Sequence, residues 1–193
     1  LVNDDGPPSA VSPYFAPFLA ALHEAGHQTV VVIPDRPLSW IGKADAVGKG
    51  KAHARGLFHA GFAPADFDLV VSGPNHGRNA STVWALGSGT VGGAMEAAQC
   101  GRRAVALSFG SKEPQPEGTI RAACVRAAAL VGELAKDWHP GVEVYSVNVP
   151  MVPGVADAPA EESPEGEDLW ASVNGVISIA PLKASFTAVD VGK

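Results

Sequence analysis

Several classes of protein are excluded by what this sequence lacks. Only two of its 193 residues are cysteines, Cys100 and Cys124, and their spacing matches neither a zinc knuckle nor a disulfide framework. We expect reduced thiols that fill core space. No apolar run approaches the roughly 20 residues of a membrane-spanning helix, and no secretory or transit segment is visible. We therefore expect no membrane partner and a cytoplasmic location.

Basic residues are scarce as well. Lys and Arg number 14 against 20 Asp and Glu, which gives a net charge of −6. Such a surface repels a phosphate backbone, so we expect no nucleic-acid polymer as partner, although a small phosphate ester held by a metal ion stays compatible with it. With 46% hydrophobic residues, the chain is long enough for one well-filled core. We expect a single domain over residues 1–193.

Short apolar runs alternate with segments of helical periodicity. The pattern predicts strands at residues 1–2, 29–33, 67–73, 103–109 and 142–147, and helices that start near Ser12, Gly89 and Thr119. The continuous β-branched run at 29–33 is typical of a strand covered on both faces. The alternation predicts a three-layer α/β fold with a doubly wound, mostly parallel sheet of the Rossmann-like type and a C-terminal extension.

Two segments show neither the periodicity of a helix nor the pattern of a strand. Residues 40–55 would make a long loop for one domain, which suggests a lid or a splice between residues that are not neighbours in the intact protein. Residues 151–175 are rich in Pro, Glu, Asp and Gly, which predicts an exposed arm or a partly missing segment. A splice would separate neighbouring Cα atoms by more than about 3.8 Å. One more strand is predicted at 175–179.

Oxygen-bearing side chains follow each of the first three predicted strands. They are Asp4 and Asp5, then Asp35 and Ser39, then Ser72 and Asn75. Ligands of open parallel sheets bind beyond the carboxyl ends of the strands, so these side chains are candidates for one site. Two adjacent carboxylates at the end of a buried strand repel each other unless a cation lies between them. The hard oxygen ligands suit Mg²⁺, Mn²⁺ or Ca²⁺ rather than zinc.

Each of these residues also has a simpler interpretation. Asp5-Gly6 is a common turn, and Asn75 near glycine can hold its own loop. Asp35 can pair with Arg36 at the surface. His76 lies nearest the candidate ligands and could serve as acid or base, but its position favours a loop side chain that faces water.

A glycine-rich turn before a predicted helix is a second candidate site. The backbone N–H groups of Ser88-Gly89-Thr90 would form an anion site at the helix N-terminus. Gly87, Gly89 and Gly92 also spell G-x-G-x-x-G, the dinucleotide fingerprint, but that motif should follow the first strand of its unit, with an acidic residue about 20 positions later. A phosphate cradle is the preferred hypothesis, and a non-catalytic or dinucleotide-binding module is the alternative.

Four motifs in order resemble the survival protein E (SurE) family of metal-dependent nucleotidases and acid phosphatases. They are Asn3-Asp4-Asp5-Gly6, Pro34-Asp35-Arg36 with Ser39, Ser72-Gly73-Pro74-Asn75-His76-Gly77-Arg78-Asn79, and Ser88-Gly89-Thr90-Val91. Gly6-Pro7-Pro8-Ser9 and Ser39-Trp40-Ile41-Gly42-Lys43 resemble the fungal branch.

The resemblance implies one divalent ion on Asp4, Asp5, Ser39 and Asn75, with Asn79 and Ser88-Gly89-Thr90 close to the phosphate. It implies hydrolysis of nucleoside 5′- or 3′-monophosphates and a homodimer or larger homo-oligomer. The expected mechanism is attack by a metal-activated water that Asp4 or Asp5 orients or deprotonates. Attack by a carboxylate is the alternative. Phosphatases of the haloacid dehalogenase type are disfavoured, because Asn3 stands where their nucleophilic aspartate would be.

Overall fold

The computed structural model describes residues 1–38, 61–162 and 168–185. Within them the sheet has five strands: β1 (Val70–His76), β2 (Ala104–Phe109), β3 (Val144–Val149), β4 (Ala160–Glu162) and β5 (Ile177–Leu182). Their order is β1-β2-β3-β5-β4. The first three strands are parallel, β5 is antiparallel to β3, and β4 is parallel to β5. The predicted α/β fold with a mostly parallel sheet is confirmed.

Helices cover both faces of this sheet. The α-helices in the described part of the chain are α1 (Phe15–Glu24), α2 (Thr82–Gly87), α3 (Gly89–Gln99), α4 (Glu117–Lys136) and α5 (Asp168–Val173). Pro64–Asp66 and Val155–Asp157 form short 3₁₀ helices. None of the described helices combines the length and the hydropathy that a membrane crossing requires.

Alternation along β2 separates the two halves of the core. Val105, Leu107 and Phe109 pack in the cluster that contains α1 and α4, whereas Ala104 and Ala106 pack with α3. Successive side chains of a strand point to opposite faces, so a strand that is apolar at every position is covered on both. The three layers follow from this pattern. Neither Cys100 nor Cys124 forms a disulfide, and burial raises the pKa of Cys124 to about 12.

The first predicted strand joins the sheet through Val2. This residue is fully buried and forms parallel bridges with Val32 on one side and Ser72 on the other. Gly73 N donates to Val2 O at 2.7 Å. The bridges place residues 3–5 beside the carboxyl end of β1. The strand predicted at 29–33 is wrong in extent, because only Val32 bridges and Val31 stays 36% exposed.

Several predicted boundaries shift by a few residues. Strand β1 continues to His76 through a bulge after Ser72, so residues 74–76 belong to the sheet and not to a loop. Helix α1 begins at Phe15 and not at Ser12, because the Ser12 hydroxyl faces inward and accepts from Asn3 Nδ2 at 3.4 Å. Helix α4 begins before Thr119, with Glu117 in its first turn, where an acid suits the helix dipole.

Several of the described residues within 151–162 and 168–175 are buried, although the composition predicted an exposed arm. Val155 and Ala171 are each 1% exposed, and Met151 and Ala158 are buried as well. Strand β4 pairs with β5 and extends the sheet. A few apolar side chains, spaced among charged ones, are enough to anchor these residues. The aperiodic residues 40–55 lie outside the described part of the chain, so the lid or splice there stays a prediction.

Candidate functional site

The two adjacent carboxylates lie inside the protein at the end of the Val2 segment. Asp4 is 3% exposed and Asp5 is 5% exposed. Asp5 N donates to Asn3 Oδ1 at 2.8 Å, which closes a local turn. His76 N donates to Asp5 Oδ2 at 2.8 Å, so the Asp5 carboxylate is fixed against the end of β1. The His76 ring packs edge-on against Tyr14, with 5.2 Å between ring centroids.

Asp4 contacts the glycine-rich turn at the N-terminus of α3. Thr90 Oγ1 donates to Asp4 Oδ1 at 2.9 Å, and both side chains are buried. A methyl group on Gly89 would lie 2.8 Å from Asp4 Cγ, closer than real carbon atoms approach. Ser88 caps α3, since its Oγ accepts from Val91 N at 3.1 Å. The structure therefore brings the candidate metal ligand and the candidate phosphate cradle into direct contact.

Burial and mutual repulsion shape the electrostatics of this pair. Desolvation first, and the neighbouring Asp5 carboxylate second, raise the pKa of Asp4 to about 6. The hydrogen bond from Thr90 and the positive charge of Lys112 act in the opposite direction. Desolvation and a like charge therefore outweigh these contacts and a backbone hydrogen bond, which also lowers the pKa. A cation bound at this point would reverse the balance.

The loop after the second predicted strand approaches the same turn. Gly6 has φ +79°, and a methyl group there would lie 2.8 Å from the backbone carbonyl carbon of Arg36. Leu38 N donates to Asp4 O at 2.8 Å. The predicted ligand Ser39 lies outside the described residues, although its neighbour Leu38 is held against Asp4.

A cavity of about 50 Å³ lies where these elements meet. Its lining residues are Asp4, Asn75, Arg78, Asn79, Trp84, Gly87, Ser88, Gly89 and Lys112. Five of the eight predicted site residues thus share one cavity. Thr90 donates to Asp4 in its wall, whereas Asp5 is not among the lining residues. A water occupies about 30 Å³ in the liquid, so this space suits a small polar group and not a whole nucleotide.

Asn75 lies near the end of β1, and Asn79 follows the strand by three residues. Both side chains line the cavity. Asn75 Nδ2 donates to Gly77 O, which shapes the loop. Asn79 is held more extensively: its N–H donates to Asn148 Oδ1 and its Nδ2 donates to Ser108 Oγ, both at 2.8 Å. Asn148 and Ser108 lie near the carboxyl ends of β3 and β2. The Asn79 amide keeps a second hydrogen for a ligand, because an amide nitrogen carries two.

Three cavity residues were missed by the sequence analysis: Arg78, Trp84 and Lys112. The carbon chain of Lys112 crosses Gly77, where a methyl group would lie 2.7 Å from Lys112 Cε. Lys112 follows β2 by three residues, so the rule that ligands gather beyond the carboxyl ends of strands could have found it. For Trp84 no local signal exists, because its position depends on how α2 packs.

The structure around the glycine turn does not match that of a dinucleotide-binding fingerprint. Gly87 is the last residue of α2 and Gly89 is the first residue of α3, so the glycine turn joins two helices. The fingerprint requires a strand that leads into the turn. Within residues 1–38, 61–162 and 168–185, no three His, Cys, Asp or Glu side chains converge, so Asp4 and Asp5 would need neutral oxygen ligands to complete a metal site.

Comparison with known proteins gives a consistent result. The family model "Survival protein SurE" matches residues 1–165. The 5′-nucleotidase SurE of Nitratidesulfovibrio vulgaris is 34% identical over 219 aligned positions, covering 94% of this chain and 84% of the relative. The 5′-nucleotidase SurE 2 of Pyrobaculum aerophilum is 32% identical over 166 positions, covering 79% of this chain and 63% of the relative. A probable tubulin–tyrosine ligase of Saccharomyces cerevisiae is 38% identical over 132 positions, covering 65% of this chain and 17% of the relative.

The chain thus spans less than two thirds of the yeast and Pyrobaculum relatives. Among solved structures, the SurE protein from Aquifex aeolicus matches with a TM-score of 0.66 and 25% identity, over 96% of this chain and 93% of that one. The resemblance inferred from the four sequence motifs is confirmed, and the chain belongs to the SurE family.

Proposed function

We propose that this chain hydrolyses nucleoside monophosphates with the help of one divalent metal ion. Two named relatives are 5′-nucleotidases. The observation that carries the proposal is the contact of Asp4 with Thr90 and Gly89, since it joins a carboxylate pair to a helix N-terminus within one small cavity. Metal-assisted hydrolysis of a phosphate ester uses a cation site and an anion site that contact the same phosphoryl group.

The residues fit a hard divalent cation. Asp4 and Asp5 supply carboxylate oxygens and Asn75 an amide oxygen, and Ser39 would supply a hydroxyl from the loop that Leu38 anchors to Asp4. Such donors suit Mg²⁺ or Mn²⁺, and Ca²⁺ under crystallisation conditions. The raised pKa of Asp4 supports the assignment, because a cation would relieve its repulsion by Asp5. When bound, the ion would polarise a phosphoryl oxygen and acidify a water.

The phosphoryl group would bind at the start of α3. The first backbone N–H groups of a helix have no partner within the helix, and the dipole places partial positive charge there. Helix α3 has eleven residues, Ser88 is its N-cap, and Gly89 and Thr90 begin its first turn. Asn79 would donate its second amide hydrogen from the opposite wall. Lys112 and Arg78 line the same cavity and would balance the charge that develops on the phosphoryl oxygens.

Asp4 and Asp5 would orient the attacking water and accept its proton. Asp5 is locked by the His76 backbone, which suits an orienting role. Asp4 contacts Thr90 and Gly89 at the start of α3, where the phosphoryl group would bind, which suits a general base for the attacking water. Attack by a carboxylate itself is the alternative mechanism. It involves two displacements at phosphorus, so a substrate that is chiral at phosphorus would react with net retention of configuration, whereas direct attack by water gives inversion. A comparison of adenosine 5′-monophosphate with adenosine 3′-monophosphate would show which ester position is hydrolysed.

The test is a hydrolysis assay with p-nitrophenyl phosphate and with adenosine 5′- and 3′-monophosphates, with Mg²⁺ or Mn²⁺ and with EDTA. We expect turnover that requires the ion and is abolished by EDTA. Turnover in the presence of EDTA would reject the metal role. Absence of turnover under every ion would reject the enzymatic proposal and favour a binding module.

We also propose that the chain forms homo-oligomers. Helices α2 and α5 expose large apolar side chains: Val83 (80%), Leu86 (74%), Trp170 (61%) and Val173 (64%). Clustered apolar exposure supports association of copies. Light scattering after size exclusion should give a mass at least twice the 19.7 kDa of one chain, and a monomeric mass would reject the proposal.

A further inference from the structure

A second cavity, of about 360 Å³, adjoins the small one. Arg78, Trp84 and Lys112 line both, so the two spaces share one boundary. Ser111 and Leu169 are among the residues that line only the larger space. Small-molecule sites have volumes of about 300 to 1,000 Å³, so the larger cavity can hold most of a nucleoside, which the small one cannot.

The walls of the larger cavity differ in chemistry from those of the small one. Trp84 is 50% exposed and Leu169 is 42% exposed, and both present apolar surface to the cavity. The other side is held in place, since Ser111 Oγ accepts from Gln115 Nε2 at 3.0 Å and Ser111 O accepts from Tyr14 Oη at 3.3 Å. This larger cavity, the Trp84 chamber, therefore combines a flat aromatic side chain with a fixed polar loop.

We propose that Trp84 is the specificity residue on which the nucleobase of the substrate stacks, with Leu169 on the same chamber wall. The inference rests on the proposed function. A phosphoryl group in the small cavity has Arg78 and Lys112 at its edge, and the rest of the ester continues past them to Trp84. Stacking on an aromatic ring tolerates any base. The site should therefore select for the presence of a base more than for its identity.

A third and larger cavity, of about 470 Å³, is the competing location for the nucleoside. Its lining includes Asn79, Val91, Met95 and Leu182, but not Asp4, Arg78 or Lys112. This cavity shares with the small one only Asn79 among its lining residues, whereas the Trp84 chamber shares Arg78, Trp84 and Lys112. Proximity to the reacting groups therefore favours the Trp84 chamber, although the other space is larger.

The test compares adenosine 5′-monophosphate with ribose 5-phosphate, which has the same phosphate and sugar but no base. Trp84→Ala should lower kcat/KM for the nucleotide at least about fivefold, the lower limit for loss of a base–aromatic stack, and should leave ribose 5-phosphate nearly unchanged. Trp84→Phe should restore most of the loss. Val125→Ala is the control, because Val125 is also an exposed apolar side chain, at 47%, yet lines neither cavity.

An equal effect of Trp84→Ala on both substrates, or no effect on the nucleotide, would overturn the proposal. A binding measurement separates this failure from that of the proposed function. Quenching of tryptophan fluorescence by adenosine 5′-monophosphate should be weakened in Trp84→Phe and kept in Trp170→Phe, even if the wild-type protein hydrolyses nothing. Unchanged quenching in Trp84→Phe would reject the stacking role whatever the activity.

Discussion

Gly89 and Asp4 are 85 positions apart in the chain, yet no side chain larger than hydrogen fits between them. A methyl group on Gly89 would lie 2.8 Å from Asp4 Cγ and closer still to Asp4 Oδ2. The first turn of α3 is therefore packed directly on the carboxylate, and Thr90 fixes its orientation from the next residue. A glycine at this position is required by the site and not by its backbone conformation, since its φ is not positive.

Gly89→Ala should displace the Asp4 carboxylate. We expect kcat/KM to fall about 100-fold, the effect of a misplacement of about 1 Å, and the free energy of unfolding to fall by about 1–3 kcal/mol from overpacking. Steady-state kinetics and urea denaturation measure the two effects. Gly118→Ala, in the first turn of α4 with open space around it, is the control and should keep activity. Full activity of Gly89→Ala would contradict the close contact.

Asp4→Asn should stabilise the metal-free protein at neutral pH. Because the folded-state pKa of Asp4 is raised to about 6, the folded state holds this proton more tightly than the unfolded state. Stability from this group is complete below about pH 3.8 and is lost as pH rises through 6, a cost of about 3 kcal/mol. In EDTA the variant should therefore exceed wild type in unfolding free energy at pH 8 and match it near pH 3.8.

The same variant should reverse its rank when metal is added. Mn²⁺ should raise the Tm of the wild-type protein, because a ligand that binds only the folded state stabilises it. Asp4→Asn should gain little and should lose nearly all activity. An equal Tm increase in both proteins would show that the ion binds elsewhere.

Lys112→Met should weaken catalysis without unfolding the protein. Its carbon chain packs over Gly77, which methionine can replace, while the positive charge near Asp4 and the phosphoryl site is removed. We expect kcat/KM for monophosphates to fall about tenfold or more. Lys136→Met, an exposed lysine in the last turn of α4, is the control. If both variants behave alike, Lys112 has no role in the site.

Asn148→Ala should destabilise the loop that carries Asn79. The substitution leaves the buried N–H of Asn79 without its acceptor at 2.8 Å, which costs about 1–3 kcal/mol. KM should rise as Asn79 loses its position. Asn174→Ala removes an exposed asparagine whose Nδ2 donates to Trp170 O, and it should change stability by less than about 0.5 kcal/mol. Chemical denaturation of both variants measures the difference.

Local patterns made much of the fold predictable from the sequence. The apolar run at 103–109 became β2 within one residue, because a strand covered on both faces carries its own signature. The rule that ligands gather beyond the carboxyl ends of parallel strands predicted one site for Asp4 and Asn75, and both line one cavity. Asn79, which lines the same cavity, was predicted only by the family resemblance. These successes depend on periodicity and topology, which are properties of short segments and of their order.

The remainder depends on contacts between distant residues. Asn148 meets Asn79 from 69 positions away, and nothing local to either predicts the pair. Trp84 reaches the cavity only because α2 folds over it. The buried side chains of Val155 and Ala171 were masked by charged neighbours in the sequence. Ser39 lies outside the described residues, so its place among the ligands stays a prediction.

The central claim is that one divalent ion is held jointly by Asp4, Asp5 and Asn75, with Ser39 as a further ligand. The most direct measurement is an anomalous difference map from crystals soaked in Mn²⁺ and phosphate. We predict a single strong peak at about 2.0–2.3 Å from oxygens of both aspartates, with phosphate between the ion and the first turn of α3. A map without a peak at the aspartates, from crystals in which Mn²⁺ supports turnover, would contradict the claim.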